Sequence, residues 1–321
     1  MASLRRPASF LLVAAALLAA LALWAPFTIA VYGVMLLGPL HVLLAVRYLG
    51  GRVAGAVPAS TGWLLVVFVA LMSLVRAIAT VAPHLGHQLE LVGGMALAGF
   101  ALTLGLRGRI RFLAWVPVAL VAIVSFAELP WYWHLLTHAH NVVPLIFLWD
   151  WTRGRAAGQR LAFVGTNLVW LVGVPAVILS GLADPLLSHA QPGSVAHLVD
   201  PDLLIASVAP PGADATLGLR FLATFTFLQA MHYLLWMVFF QTFGRAEARR
   251  FPLTGWRFWT LAAVLSALVW AAYASGYYNG RAAYGVLGAF NVYLEQPIAV
   301  WLLLTALPTS VTSPLVGRLR E

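Results

Sequence analysis

The chain is predicted to be an all-α polytopic membrane protein, a bundle of about ten transmembrane helices, on three observations. Hydrophobic residues make up 62% of it, charged residues 9%, and mean hydropathy is +0.91, leaving too little polar surface to face water. Apolar runs recur at about the 20-residue length that crosses a hydrocarbon core of roughly 30 Å. Arginine falls in short clusters at every second boundary between those runs.

Taken in order, the first run, Phe10 to Trp24, follows Arg5 and Arg6 and leads straight into Pro26 and more apolar sequence. With no small-residue cleavage site in between, it is expected to be an uncleaved span rather than a secretory signal. Thr28 to Leu49, Trp63 to Val81, Leu91 to Leu106, Phe112 to Phe126 and His134 to Trp149 are the next five expected spans. The remaining four are Leu161 to Leu179, Leu217 to Phe243, Phe258 to Ala274 and Gly285 to Leu307. One long connection interrupts them, Ala183 to Thr216, rich in Pro, Gly and Asp and expected to lie outside as a cap; its His189 and His197 read as solvated. The whole chain, 1–321, is expected to form one transmembrane domain.

The clusters Arg5 and Arg6, Arg47 and Arg52, Arg107 to Arg111, Arg153 to Arg160, Arg245 to Arg257, and Arg318 with Arg320 hold 16 of the 19 Arg. They place both termini in the cytoplasm by the positive-inside effect, which explains the net charge of +9 without nucleic acid as a partner. All basic residues are Arg; the absence of Lys excludes a retinal Schiff base, and the absence of Cys excludes disulfides, thiolate metal sites and thioether-linked haem.

Ionisable groups inside a bilayer are costly, so each is a candidate for function. Histidine is the informative type. His41 lies in Gly38-Pro39-Leu40-His41, His232 near the middle of the eighth expected span, and His134, His138 and His140 open the sixth. Residues at i and i+4 share a helix face, so His134 and His138 can offer two imidazoles to one ion, with Asn141 continuing that face and His140 pointing elsewhere. By depth along the helices, His41, His134, His138 and His232 can surround one buried ion; His84 and His87 with His134 form a rival outer site. Each histidine has an ordinary alternative as a core residue hydrogen-bonded across helices. Glu128 can orient an imidazole or simply meet water. Gln229 and Tyr233 flank His232. Arg76 needs Glu90, Glu128 or a substrate carboxylate, or snorkels to the surface. Glu295, next to Gln296 and Pro297, is a proton-handling or ligand-orienting candidate, while Asp150 reads as interfacial and without a specific role. The aromatic residues crowding the span of His232 can line a cavity for a long apolar substrate or merely pack.

At Gln229-Ala230-Met231-His232-Tyr233-Leu234-Leu235-Trp236, Gly38-Pro39-Leu40-His41 and the His134/His138 pair, the sequence resembles the Brp/Blh family of bacterial membrane proteins, although the family's Pro-His-Gly run is absent after His41. The resemblance implies a non-haem Fe(II) site held by four His and oxidative cleavage of β-carotene by O₂ at its central double bond, giving two retinal molecules. It carries the ligand roles to His41, His134, His138 and His232, and places the chain in the bacterial cytoplasmic membrane. Neutral imidazole also suits Cu or Zn. Two alternatives stay open: a proton-coupled carrier using His41, Arg76, His232 and Glu295, and a haem b protein with bis-His ligation by pairs such as His41 and His232.

Overall fold

A computed structural model describes residues 4–320, and among them there is no β-strand, only one bridge pairing Leu106 with Thr312. In chain order the helices are α1 (Arg5–Trp24), α2 (Pro26–Tyr32), α3 (Gly38–Val53), α4 (Ala59–Val81), α5 (Pro83–Gly105), α6 (Gly108–Leu113), α7 (Trp115–Ala127), α8 (Leu129–Val142) and α9 (Pro144–Trp151). There follow α10 (Ala157–Leu168), α11 (Val174–Leu179), α12 (Asp184–Leu187), α13 (Pro201–Ala206), α14 (Ala215–Leu234), α15 (Phe240–Phe243), α16 (Arg245–Arg249), α17 (Gly255–Ala274), α18 (Tyr277–Leu304) and α19 (Pro314–Arg318). Single π turns at Gly33–Leu37, Val169–Gly173 and Leu235–Phe239 join α2 to α3, α10 to α11 and α14 to α15 without ending the helix.

Joined in this way, nine helical segments among the described residues are long and apolar enough to cross a bilayer. The sixth expected span, His134 to Trp149, is two pieces, α8 and α9. Pro144 has no N–H to give the carbonyl of His140 and its ring crowds that carbonyl, so the helix stops at Val142 and restarts with Pro144 at its first turn. Helix α5 begins at Pro83, eight residues before the expected start, which brings His84, His87 and Glu90 into the helix; α18 likewise begins at Tyr277 rather than Gly285. The surface agrees with lipid as solvent. Leu120, Ile123 and Val124 on α7 are all more than half exposed, an arrangement water would penalise and hydrocarbon does not.

The chain divides into two compact units. The first takes in the chain up to Gly38, Pro130–Phe243 and Gly276–Tyr278. Its axis is α14, whose Leu222, Ala223, Phe227 and Met231 are buried, with α1, α2 and α11 packed along it. The 183–214 connection is not featureless: α12 and α13 form there, α13 capped by the Asp200 carboxylate, which accepts from the Asp202 N–H at 2.9 Å, and Asp214 caps α14 at 2.8 Å from the Leu217 N–H. Arg220 on α14 clasps Asp184 on α12 with two parallel bonds, Nε to Oδ1 at 2.8 Å and Nη2 to Oδ2 at 2.5 Å.

The second unit comprises Pro39–Leu129, Gly244–Ser275 and the chain from Asn279 onward. Small residues let its helices approach closely. A Cβ at Gly86 would lie 2.4 Å from Ala79 Cα, so the α4–α5 pair needs glycine there. Gly99 takes the Trp115 ring against its backbone, and the Trp115 indole N–H donates to Thr103 Oγ1 at 3.0 Å. The buried Trp301 indole N–H donates to the Ala101 carbonyl at 2.9 Å, tying α18 to α5.

Candidate metal centre

The helix interruptions decide which histidines meet. In the first unit, His140 sits in the last turn of α8, just before the Pro144 break, and His232 in the last turn of α14, just before a π turn. Their ring centroids are 4.5 Å apart and tilted by 53°. The Tyr233 and Trp236 rings lie 6.1 and 6.2 Å from His232, an aromatic surround that keeps water from a residue only 1% exposed. His41, also 1% exposed, sits in the first turn of α3 with the Tyr284 ring 6.3 Å away. His41, His140 and His232 form a buried three-histidine group that could hold a metal ion: each offers one imidazole nitrogen, and these nitrogens lie within 4.8 Å of one another.

This group overlaps the set expected from the sequence without coinciding with it. His41 and His232 belong to both sets; from the segment around α8 the group takes His140, and the His134/His138 pair lies outside it. The i, i+4 pair does form as a pair, with ring centroids 4.7 Å apart, but it faces Phe221 and Phe225 on α14, and His138 Nε2 lies 2.8 Å from the Val208 carbonyl in the 183–214 connection. Intrahelical spacing finds residues on one face of one helix. A group assembled from three segments takes whichever residue each neighbour presents.

The other candidates are placed as follows. Asn141 is buried and bonds back to the Thr137 carbonyl at 3.3 Å. Glu128 is exposed at the end of α7, His84 is exposed and His87 half-buried in the first turns of α5, and His189 and His197 are exposed. Asp150, expected to do nothing specific, is 5% exposed and pairs with Arg153 at 2.7 Å, with the Arg153 guanidinium also beside the Trp149 ring. Gln229 and Tyr233 share a face of α14, the Gln229 amide N–H donating to the Tyr233 oxygen at 2.6 Å.

That face lines an apolar cavity of about 680 Å³ in the first unit, walled by α1, α2 with its π turn, and α14 with its π turn. Tyr233 therefore has the cavity on one side and the His232 ring on another.

A second polar cluster lies within the second unit. Arg76 on α4 pairs with Glu90 on α5, which is fully buried, and the Tyr293 hydroxyl of α18 donates to the same carboxylate oxygen at 2.9 Å. Glu90 was one of the partners expected for Arg76. Two residues to either side of Tyr293 on α18, Asn291 and Glu295 are fully buried, the Asn291 amide donating to Glu295 Oε1 at 2.7 Å.

No family model matches the chain, and neither a curated protein nor a solved structure was found to match it.

Proposed function

We propose that the chain is a membrane-embedded, histidine-ligated non-haem iron oxygenase that acts on a lipid-soluble substrate, with a carotenoid, as in the Brp/Blh family, the substrate class its sequence resemblance suggests. The observation that carries this reading is the three-histidine group. Three neutral imidazoles are a donor set suited to Fe, Cu or Zn, and three protein ligands leave coordination positions open for exogenous molecules. Iron held there would supply O₂ activation. The chain's own part is to hold His140 and His232 in register at the ends of interrupted helices, to exclude water through Tyr233 and Trp236, and to offer an apolar cavity on the same helix as His232.

Metal analysis of protein purified in mild detergent tests the reading. About one iron per chain and no Soret band are expected in the wild type. His140→Ala is expected to lower iron affinity by more than the roughly 10–100-fold that follows loss of a group merely orienting a ligand, and His138→Ala to retain the metal. Stoichiometric iron in His140→Ala, or a Soret band, would overturn it. Loss of colour from carotenoid-accumulating cells that express the wild type but not His140→Ala tests the substrate class.

A proton-coupled carrier is the second reading, favoured by one observation: Glu90 Oε2 is buried and meets no hydrogen-bond partner among the described residues, beside Arg76 and Tyr293. Proton-driven uptake into vesicles by iron-free protein would support it.

A further inference from the structure

The apolar cavity of the first unit contains one polar atom that its surroundings leave unsatisfied. Gln229 is 7% exposed and lines the cavity; one amide N–H donates to the Tyr233 oxygen, while its carbonyl oxygen, Oε1, is buried and accepts no hydrogen bond among the described residues. The neighbouring Thr226 hydroxyl cannot serve it, because it donates to the Pro26 carbonyl at 3.1 Å. Water is a poor candidate as well. Of its lining residues Leu36 and Val238 are 57% and 43% exposed, so the cavity is edged by the apolar surface that meets lipid.

We propose that this cavity binds a lipid-soluble alcohol, its chain along the apolar walls and its hydroxyl donating to Gln229 Oε1. The volume, about 680 Å³, lies within the roughly 300–1,000 Å³ of small-molecule sites. Both walls carry a π turn, Gly33–Leu37 and Leu235–Phe239, a local widening found often at functional sites. Gly33 faces Tyr233 across the cavity without filling it: an added Cβ would lie 3.9 Å from Tyr233 Cε2, an ordinary contact. An acceptor selects for a donor, so an alcohol should be preferred over its ether, its ketone or the parent hydrocarbon. The cavity is the one the oxygenase reading offers its substrate, but binding of an alcohol there needs no metal, so the two readings can fail separately.

The test uses full-length protein in detergent, stripped of metal with chelator, and a long-chain primary alcohol bearing a diazirine. Photolabelling should map by mass spectrometry to the Thr28–Leu37 and Thr226–Val238 stretches. Unlabelled alcohol should displace the probe about tenfold better than its methyl ether, the worth of one buried hydrogen bond. Gln229→Leu should abolish that difference while still binding both. Gly33→Leu, which narrows the cavity beside Tyr233, should weaken labelling, and Gly33→Ala should retain it and serve as the folding control. Equal competition by alcohol and ether in the wild type, a preference for the ketone, or labelling spread over the lipid-facing helices and indifferent to Gly33→Leu would each overturn the proposal.

Discussion

Removing either member of the Arg76–Glu90 pair should have unequal consequences. The Glu90 side chain is 0% exposed and that of Arg76 is 29% exposed. Arg76→Gln strands a carboxylate where neither water nor another cation reaches it, and breaking a buried pair in that direction costs about 3–5 kcal/mol. Glu90→Gln leaves a long cation whose head can move outward to the membrane surface, while the new amide oxygen still accepts from the Tyr293 hydroxyl. Discounted for that exposure, its cost is about 1–2 kcal/mol. In the double variant neither charge remains, so it should be more stable than Arg76→Gln alone by about 1–2 kcal/mol. Unfolding of detergent-solubilised protein by titration with SDS, followed by tryptophan fluorescence, measures all three differences. If Glu90→Gln proves as damaging as Arg76→Gln, or the two costs simply add, the charge on Glu90 is not what Arg76 is there to balance.

Gly99→Leu should destabilise the second unit by at least about 3 kcal/mol, because a Cβ there would lie 2.0 Å from the Trp115 ring; unchanged resistance to SDS in that variant would mean the α5–α7 contact is not as close as described. The Asp184–Arg220 clasp should show in the pH dependence of stability. The Arg220 hydrogen bonds hold the Asp184 carboxyl below its ordinary value, so the unfolded chain binds more protons in that range and stability rises with pH there. The gap in thermal midpoint between wild type and Asp184→Asn should therefore be full above about pH 4 and close as pH falls through the lowered value; a gap independent of pH would contradict this.

Composition alone was enough for the helical architecture, because a hydrocarbon solvent leaves almost no choice of secondary structure to a chain this apolar. Local chemistry was legible where it is local. The Gln229–Tyr233 hydrogen bond is an i, i+4 pair, and Arg76 needed a partner that Glu90, fourteen residues on, was placed to supply. Hydropathy could not show the π turns, since an inserted residue changes the phase of a helix without changing its apolar content. It also ran across Pro144, counting as one span what the missing N–H makes two. Asp150 was passed over for a related reason: an acidic residue near a span end looks interfacial until the fold buries it beside Arg153.

The HxxxH pair carries a more specific lesson, because its hydrogen bonding argues against a ligand role for one of its members. A carbonyl can only accept, so His138 Nε2, 2.8 Å from the Val208 oxygen, must be the protonated nitrogen, and the neutral ring is left with Nδ1 as its single lone pair. The nitrogen that reaches farthest from the α8 backbone is thus committed to fastening the 183–214 connection, and the Phe221 and Phe225 rings cover the face beside it. Two residues further on, in the last turn before Pro144, His140 meets His232 instead. Placing a histidine pair one turn apart thus serves two ends equally well, chelation and strapping a loop to a helix, and only the partner of the outward nitrogen distinguishes them. For this chain that partner is a peptide carbonyl.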